Sequence, residues 1–142
     1  MTRGLRVPEP FGAACFLYDR ATQSVLLHRR DGKTTVNPHK WALFGGHGEP
    51  GETDVACCLR ELEEEIGLRL EPRELKRLRR YMNAEARQYR VVFYVEKRVE
   101  LAELVLGEGA GFAWVELAKL DALDLSARAR EDLRYFVERL KR

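Results

Sequence analysis

The stretch GHGEPGETDVACCLRELEEEIGL, residues 46–68, decides how the rest of the chain is interpreted. A glycine-rich segment leads into a run with helical periodicity, for which Thr53 is a suitable N-cap and Gly67 a suitable C-cap. At about 100° per residue, the apolar side chains cluster on one side of that helix. The predicted buried stripe consists of Val55, Leu59, Leu62 and Ile66.

Three carboxylates share a second face of the same predicted helix. Glu61, Glu64 and Glu65 are neighbours because residues three and four apart lie side by side. Like charges this close repel each other, and a divalent cation would remove that repulsion. Oxygen ligands suit Mg²⁺ or Mn²⁺, whereas zinc favours nitrogen and sulfur. Arg60 stands four residues before Glu64, so it can hold that carboxylate by an ion pair.

The spacing of these residues resembles the signature of the Nudix hydrolases, which split diphosphate linkages in nucleotide derivatives with the help of divalent metal. Every position of that signature is filled here. The resemblance implies one domain over residues 1–142 with an α/β (α+β) fold, an α/β/α sandwich whose mixed central sheet carries helices on both faces. It implies Mg²⁺ (or Mn²⁺) bound by Glu61, Glu64, Glu65 and the Gly46 carbonyl. It also implies structural support of the site from Glu52, Arg60 and Gly67.

The remaining sequence favours the same architecture by its own pattern. Six segments of strand length are predicted at Phe11–Tyr18, Ser24–His28, Trp41–Phe44, Leu75–Tyr81, Tyr89–Val95 and Phe112–Val115. Gly45-Gly46 is expected to form a tight turn before the first helix. Ser126 is the expected N-cap of a last helix with an apolar stripe of Leu133, Phe136, Val137 and Leu140. Two helices separated by most of the strands suit helices packed on the faces of a mixed sheet.

Composition and charge fit this interpretation. A chain of 142 residues with 45% hydrophobic and 34% charged residues suits one globular domain. Residues 45–68 hold seven acidic side chains against one arginine, while residues 69–98 hold ten basic side chains against four acidic ones. An acidic focus beside a basic flank suits a site that holds a cation and receives a polyanion, although solvated surface charge also explains the basic segment.

The sequence gives no sign of export or of membrane insertion. Three cysteines, an odd number without metal-binding spacing, suggest reduced thiols. The first twelve residues contain no apolar signal region, and no segment reaches the roughly 18 continuous apolar residues of a membrane span. We therefore expect a cytoplasmic protein with no membrane partner.

The resemblance also suggests catalytic glutamates. A carboxylate must accept a proton from the attacking water, and we favour Glu64 or Glu108, with Glu61 as the third choice. Glu108 lies between two glycines and six residues before Trp114, a spacing similar to a mobile loop in the branch that cleaves nucleoside triphosphates. The alternative is an ordinary turn glutamate.

Arginines and aromatic residues are the candidates for substrate binding. Arg30 matches a family position that often meets substrate phosphate, and Arg29 precedes it, although both are also consistent with a solvent-facing strand end. Phe44 could stack on a base, as could Trp41 and Trp114, but buried aromatic residues are more common.

The predicted function is that of a metal-dependent pyrophosphohydrolase acting on a nucleoside triphosphate or another nucleoside-diphosphate-X compound, a small-molecule nucleotide. The asparagine that reads an oxidised purine in relatives of this kind has no counterpart here, so we favour a generic substrate of this class. A nucleotide sugar is an alternative substrate. The alternative function is a catalytically weak Nudix-like nucleotide sensor or interaction module. Nucleic-acid binding is disfavoured because the basic segment 69–98 is largely strand-forming. The sequence leaves a homodimer open.

Overall fold

A computed structural model describes residues 2–33, 38–107 and 109–142. Within these residues the strands are β1 (Phe11–Asp19), β2 (Ser24–Arg29), β3 (Trp41–Ala42), β4 (Phe44–His47), β5 (Lys76–Asn83), β6 (Gln88–Glu96) and β7 (Gly111–Glu116). The helices are α1 (Asp54–Ile66) and α2 (Ala127–Leu140), with short 3₁₀ turns at Pro72–Glu74, Leu101–Glu103 and Leu117–Ala122. Neither α1 nor α2, nor any other helix in the described ranges, has the length and apolar character that a membrane crossing needs.

The strands form one mixed sheet organised around β1. Strand β6 runs parallel to β1 along its whole length, and β5 extends the sheet on that side as an antiparallel partner of β6. The other edge of β1 is shared by β4 and β2, both antiparallel. Strands β3 and β7 then pair with β2. The mixed sheet expected from the sequence is therefore confirmed.

The two α-helices cover opposite faces of this sheet. Along β1, Ala13, Cys15 and Leu17 belong to the apolar cluster that includes Leu62 and Ile66 of α1. The alternate residues Ala14, Phe16 and Tyr18 belong to the cluster that includes Ala129, Leu133 and Phe136 of α2. This alternation is the period of two expected for a strand buried on both faces. The α/β/α arrangement predicted above is confirmed.

The helix ends lie where the sequence predicts them. The Thr53 hydroxyl accepts a hydrogen bond from the Ala56 amide at 3.2 Å, and Gly67 closes α1 in the left-handed conformation with φ 67°. Ser126 caps α2 in the same way as Thr53 caps α1. The predicted apolar stripe of α1 packs against the sheet as expected, but its residues differ slightly. Leu59 is only partly buried, whereas the neighbouring Cys58 is fully buried.

The expected tight turn at Gly45-Gly46 is wrong. Both glycines lie within β4 and pair with Ala14 and Ala13 of β1. Gly45 adopts φ 145°, and a Cβ atom there would lie 2.0 Å from the Ala13 carbonyl oxygen. Glycine is therefore needed for close strand pairing rather than for a reversal. The chain turns later, where the Glu52 amide donates to the Glu49 carbonyl at 2.9 Å.

Two buried aspartates anchor the helices to β5 and β6. Asp132 of α2 is fully buried, and its carboxylate accepts hydrogen bonds from Arg79 at 2.7 Å, Arg90 at 2.9 Å and the Tyr81 hydroxyl at 3.2 Å. Asp54, the first residue of α1, is likewise buried and accepts from Arg77 at 2.8 Å. Three of the ten basic residues in segment 69–98 therefore neutralise buried carboxylates.

His28, at the end of β2, is a third buried polar residue. Its Nε2–H donates to the Leu43 carbonyl oxygen at 3.1 Å, and its ring stacks on Phe44 with centroids 5.1 Å apart. Burial, followed by the positive charge of Arg30, lowers the pKa of His28 to about 4. Its Nε2 also lies 3.9 Å from Glu65, but that distance is too long for a hydrogen bond. The ring is therefore neutral at neutral pH.

We expect Asp132→Asn to lower the free energy of unfolding by about 3 kcal/mol, because two partly buried guanidinium groups lose their shared counter-charge. Urea denaturation measures the change. The matched control is Asp124→Asn, whose exposed ion pair with Lys40 should contribute less than about 1 kcal/mol. Equal stability of the two variants would contradict the role assigned to Asp132.

The stability of the protein should depend on His28 below neutral pH. Between the unfolded pKa of 6.5 and the folded pKa of about 4, the unfolded chain binds a proton that the folded chain does not. The free energy of unfolding therefore falls as the pH is lowered through this window. From pH 7 to pH 5 the wild type should lose about 2 kcal/mol more than His28→Gln, measured by urea denaturation at both values. Losses of the same size in both proteins would show that His28 titrates normally.

Candidate active site

A cavity of about 550 Å³ lies where α1 meets the ends of β2 and β4. Among the described residues its lining consists of His28, Arg30, Asp31, Gly45, Gly46, His47, Glu61, Glu65 and Gly109. The sequence stretch that carries the family resemblance therefore forms one side of this cavity.

Glu61 and Glu65 are held against β4. Glu65 is 2% exposed, and its Oε2 accepts a hydrogen bond from the Gly45 amide at 2.8 Å. Glu61 is 9% exposed, and its Oε1 accepts from Arg60 at 2.9 Å. Two carboxylates separated by one helical turn thus face the cavity from fixed positions.

Glu64 lies apart from this pair. Its side chain is 56% exposed and contacts Arg60 at 3.3 Å, the ion pair expected from their spacing. It is absent from the described cavity lining, and no three His, Cys, Asp or Glu side chains in the described ranges converge closely enough to hold an ion together. The structure therefore brings together Glu61 and Glu65 but not the full predicted set of three.

Arg60 connects the helix to the preceding loop. Its guanidinium donates to both carboxylate oxygens of Glu52 at 2.9 and 3.0 Å, and to the His47 carbonyl oxygen at 3.0 Å. The hydrogen bonds from Arg60 lower the pKa of Glu52, and the same contact raises the pKa of Arg60. Glu52 also accepts from the Glu49 amide at 2.9 Å. Among the carboxylates that Arg60 contacts, Glu52 and Glu61 are therefore nearer than Glu64.

Two glycines permit close approaches around the carboxylates. A Cβ atom on Gly46 would lie 2.5 Å from Oε1 of Glu61, so any side chain there would occupy the position of that carboxylate. A Cβ atom on Gly107 would lie 2.0 Å from the Glu64 carbonyl oxygen, and the Gly107 amide donates to the Glu65 carbonyl at 2.8 Å. The segment before residue 108 is therefore fixed to the last turn of α1. Glu108 itself lies outside the described residues, and its catalytic role stays a prediction.

The donors at the cavity fit a hard divalent cation. Magnesium keeps several waters and commonly binds through one or two carboxylates plus substrate phosphates, so Glu61 and Glu65 are a sufficient protein contribution. The Gly46 carbonyl oxygen is a further candidate metal ligand, and it accepts a hydrogen bond from the Cys57 thiol at 3.7 Å. Burial raises the pKa of the Cys57 thiol to about 12.

The predicted substrate-binding residues differ in placement. Arg30 lines the cavity at the end of β2. Arg29 is exposed, and its Nε donates to the His39 carbonyl at 3.1 Å, which links β2 to the following loop. Phe44 is fully buried and stacks on His28, so its ring offers no face to a base and the expected stacking role is not supported. Trp114 is partly buried and donates to the Val99 carbonyl at 3.1 Å.

Sequence reasoning overlooked His28 as a cavity residue. Period-two alternation along β2 places it on the same face as Leu26, which packs in the α1 cluster. That alternation would have located His28 beside the carboxylates of α1. Its Nδ1 has no hydrogen-bond partner within the described part of the chain.

The chain resembles known proteins along most of its length. The profile of the NUDIX domain matches residues 8–140. Nucleoside triphosphatase NudI from Enterobacter sp. (strain 638) is 32% identical over 105 residues, which is 67% of this chain and 74% of that protein. The m7GpppN-mRNA hydrolase NUDT17 from Xenopus laevis is 44% identical over 55 residues, which is 39% of this chain but 19% of that protein.

Solved structures share the fold. The MutT protein from Methanosarcina mazei Go1 superimposes with a TM-score of 0.75 at 22% identity, covering 97% of this chain and 99% of that chain. DR0079 from Deinococcus radiodurans gives a TM-score of 0.70 at 18% identity, covering 93% of this chain and 86% of that chain. With the matched NUDIX domain and the filled signature around Glu61 and Glu65, these similarities show that the chain is a member of the Nudix hydrolase family.

Proposed function

We propose that this protein is a metal-dependent pyrophosphohydrolase that cleaves the diphosphate linkage of a nucleoside triphosphate or another nucleoside-diphosphate-X compound. The observation that carries the proposal is the pair of fixed carboxylates, Glu61 and Glu65, in a cavity that also contains Arg30. Similarity to a protein named as a nucleoside triphosphatase supports the substrate class. Retention of both carboxylates favours catalysis over a sensor that only binds nucleotide.

Nudix hydrolases generally use divalent metal ions, and the oxygen donors here fit Mg²⁺ or Mn²⁺. Glu61, Glu65 and the Gly46 carbonyl would hold the ion. When bound, it would neutralise phosphate oxygens and lower the pKa of a coordinated water. Because a phosphate chain is highly anionic, charge neutralisation and positioning supply most of the expected catalysis.

The residues around the cavity have separate roles in this proposal. Arg30 would bind and orient the phosphate chain, since a guanidinium matches the geometry of phosphate oxygens. Arg60 would keep Glu61 in place through the 2.9 Å hydrogen bond. Glu64 and Glu108 are the proposed proton acceptors. Glu64 shares Arg60 with Glu61, and Gly107 fixes the chain immediately before residue 108 to the Glu65 carbonyl.

The cysteines bear on the cellular compartment that we propose. Cys15, Cys57 and Cys58 are all buried and unpaired. Unpaired thiols are typical of proteins kept in a reducing environment. We therefore propose a cytoplasmic location, where nucleotide substrates are also present.

A metal-dependent activity panel tests the proposed reaction. Nucleoside triphosphates, nucleotide sugars and other nucleoside diphosphate derivatives are incubated with Mg²⁺ or Mn²⁺, and the products are identified by mass spectrometry. Cleavage within a diphosphate linkage supports the proposal, and the product masses identify the bond that is cut. No cleavage of any compound with either metal would favour the sensor.

Replacing one cavity carboxylate should stop the reaction without unfolding the protein. Glu65→Gln keeps an oxygen that accepts from the Gly45 amide but removes the negative charge, so turnover should fall by at least about a hundredfold. Steady-state kinetics measure the effect, and thermal unfolding verifies the fold. The control is Glu63→Gln, an exposed residue of the same helix that pairs with Arg69. Near-normal turnover in Glu65→Gln would refute the role.

Arg60 should set the affinity for metal although it does not bind the ion. Lysine at this position cannot contact Glu52, Glu61 and the His47 carbonyl together, so Arg60→Lys should weaken Mn²⁺ binding by about tenfold or more. Electron paramagnetic resonance titration of free Mn²⁺ gives the dissociation constant. Arg69→Lys, at an exposed ion pair, is the control and should match the wild type. An unchanged constant in Arg60→Lys would show that Glu61 does not depend on this network.

A further inference from the structure

A second cavity of about 400 Å³ adjoins the active-site cavity. The two cavities share Arg30, Gly45, Gly46 and His47 in their linings. The second cavity extends away from α1, toward the β5–β6 hairpin and the start of α2. Its polar side chains there are Asn83, Gln88, Arg90 and Arg128.

The floor of this cavity is made of small residues. Gly12 and Ala14 of β1 lie beside the glycines of β4, and Gly12 is opposite Arg90 in the strand register. Phe44 is the aromatic residue in the described lining, and its ring is fully buried. Recognition in this cavity therefore relies on charge and hydrogen bonds rather than on base stacking.

Two arginines, Arg90 and Arg128, line the wall of the cavity on this side. Arg90 shares the single carboxylate of Asp132 with Arg79, which lies outside the described lining. The Arg90 side chain is 21% exposed, so its charge is only partly hydrated. A partly desolvated guanidinium that shares its counter-charge is stabilised by an anion that enters the cavity.

Two guanidinium groups are positioned to receive that anion. Arg90 uses Nε and Nη2 on Asp132, which leaves Nη1 without a partner among the described residues. Arg128, itself 26% exposed, pairs with Glu131 at 3.1 Å and Glu85 at 3.6 Å, whose side chains are 51% and 84% exposed. Water screens the glutamate side of these pairs, so a ligand anion can compete for Arg128.

We propose that this second cavity selects substrates with an anionic group, a phosphate or a carboxylate, on the part of the molecule beyond the cleaved diphosphate. Arg128 and Arg90 bind that group and so determine specificity. Because Arg90 also pairs with the buried Asp132, Arg128 is the residue to replace in a test. The inference rests on the proposed diphosphate hydrolysis, because the diphosphate must occupy the first cavity while the anion occupies the second. A neutral nucleobase or sugar there would offer no charged partner to these two guanidinium groups.

Two matched substrate pairs test this specificity. UDP-glucuronate and UDP-glucose differ by one carboxylate, and 2′-phospho-ADP-ribose and ADP-ribose differ by one phosphate. We expect kcat/KM to be about tenfold higher for the charged member of at least one pair, as charge-assisted hydrogen bonds imply. The pair that shows the preference identifies the anion as carboxylate or phosphate.

The preference should depend on Arg128. In Arg128→Gln the ratio of kcat/KM within the preferred pair should fall toward one. Arg134→Gln is the matched control, because Arg134 lies on the same helix but lines a different cavity, and it should keep the wild-type ratio. Equal kcat/KM within both pairs, or a preference that survives in Arg128→Gln, overturns the proposal.

Failure of the proposed hydrolysis gives a separate result. If none of the four compounds is cleaved with Mg²⁺ or Mn²⁺, their binding is measured by isothermal titration calorimetry. Tighter binding of a charged member by about tenfold, lost in Arg128→Gln but kept in Arg134→Gln, supports anion selection without hydrolysis. Equal binding within both pairs, or no binding of any compound, overturns it.

Discussion

The guanidinium of Arg60 is the contact on which the site depends. It joins Glu52, on the loop before α1, and the His47 carbonyl, at the end of β4, to Glu61 on the helix. A carboxylate that is 9% exposed needs a partner, because an unpaired buried charge is costly. Arginine supplies several donors in a fixed plane, so one side chain fixes the loop and the carboxylate together. The signature residues Glu52, Arg60 and Glu61 are therefore joined by hydrogen bonds and do not act independently.

The close packing of β4 on α1 completes this arrangement. Gly45 donates to Glu65 and Gly46 leaves room for Glu61, so the absence of side chains on β4 brings two carboxylates to one cavity. Their like charges repel each other, and Arg60 contacts Glu61 of the pair at 2.9 Å. A bound divalent cation would also reduce this repulsion, so the proposed metal site would stabilise this region.

Features set by local sequence could be predicted, and features set by distant contacts could not. Thr53 and Gly67 cap α1 as expected because capping depends on neighbouring residues. The pairing of Asp132 with Arg79 joins residues 53 positions apart, and no local pattern indicates it. Gly45-Gly46 was assigned to a turn because paired glycines usually mark one, whereas β1 requires them in a strand. Phe44 illustrates the same limit, since only the packed sheet shows that its ring is buried.

Crystals soaked with Mn²⁺ and a non-hydrolysable nucleotide would show whether Glu61 and Glu65 hold the ion. Anomalous scattering at the manganese edge distinguishes the bound ion from water and from lighter ions. The account predicts a peak bounded by the carboxylates of Glu61 and Glu65 and the Gly46 carbonyl, with Arg60 still joined to Glu52. A fully occupied ion elsewhere on the protein, with no peak between Glu61 and Glu65, would contradict it.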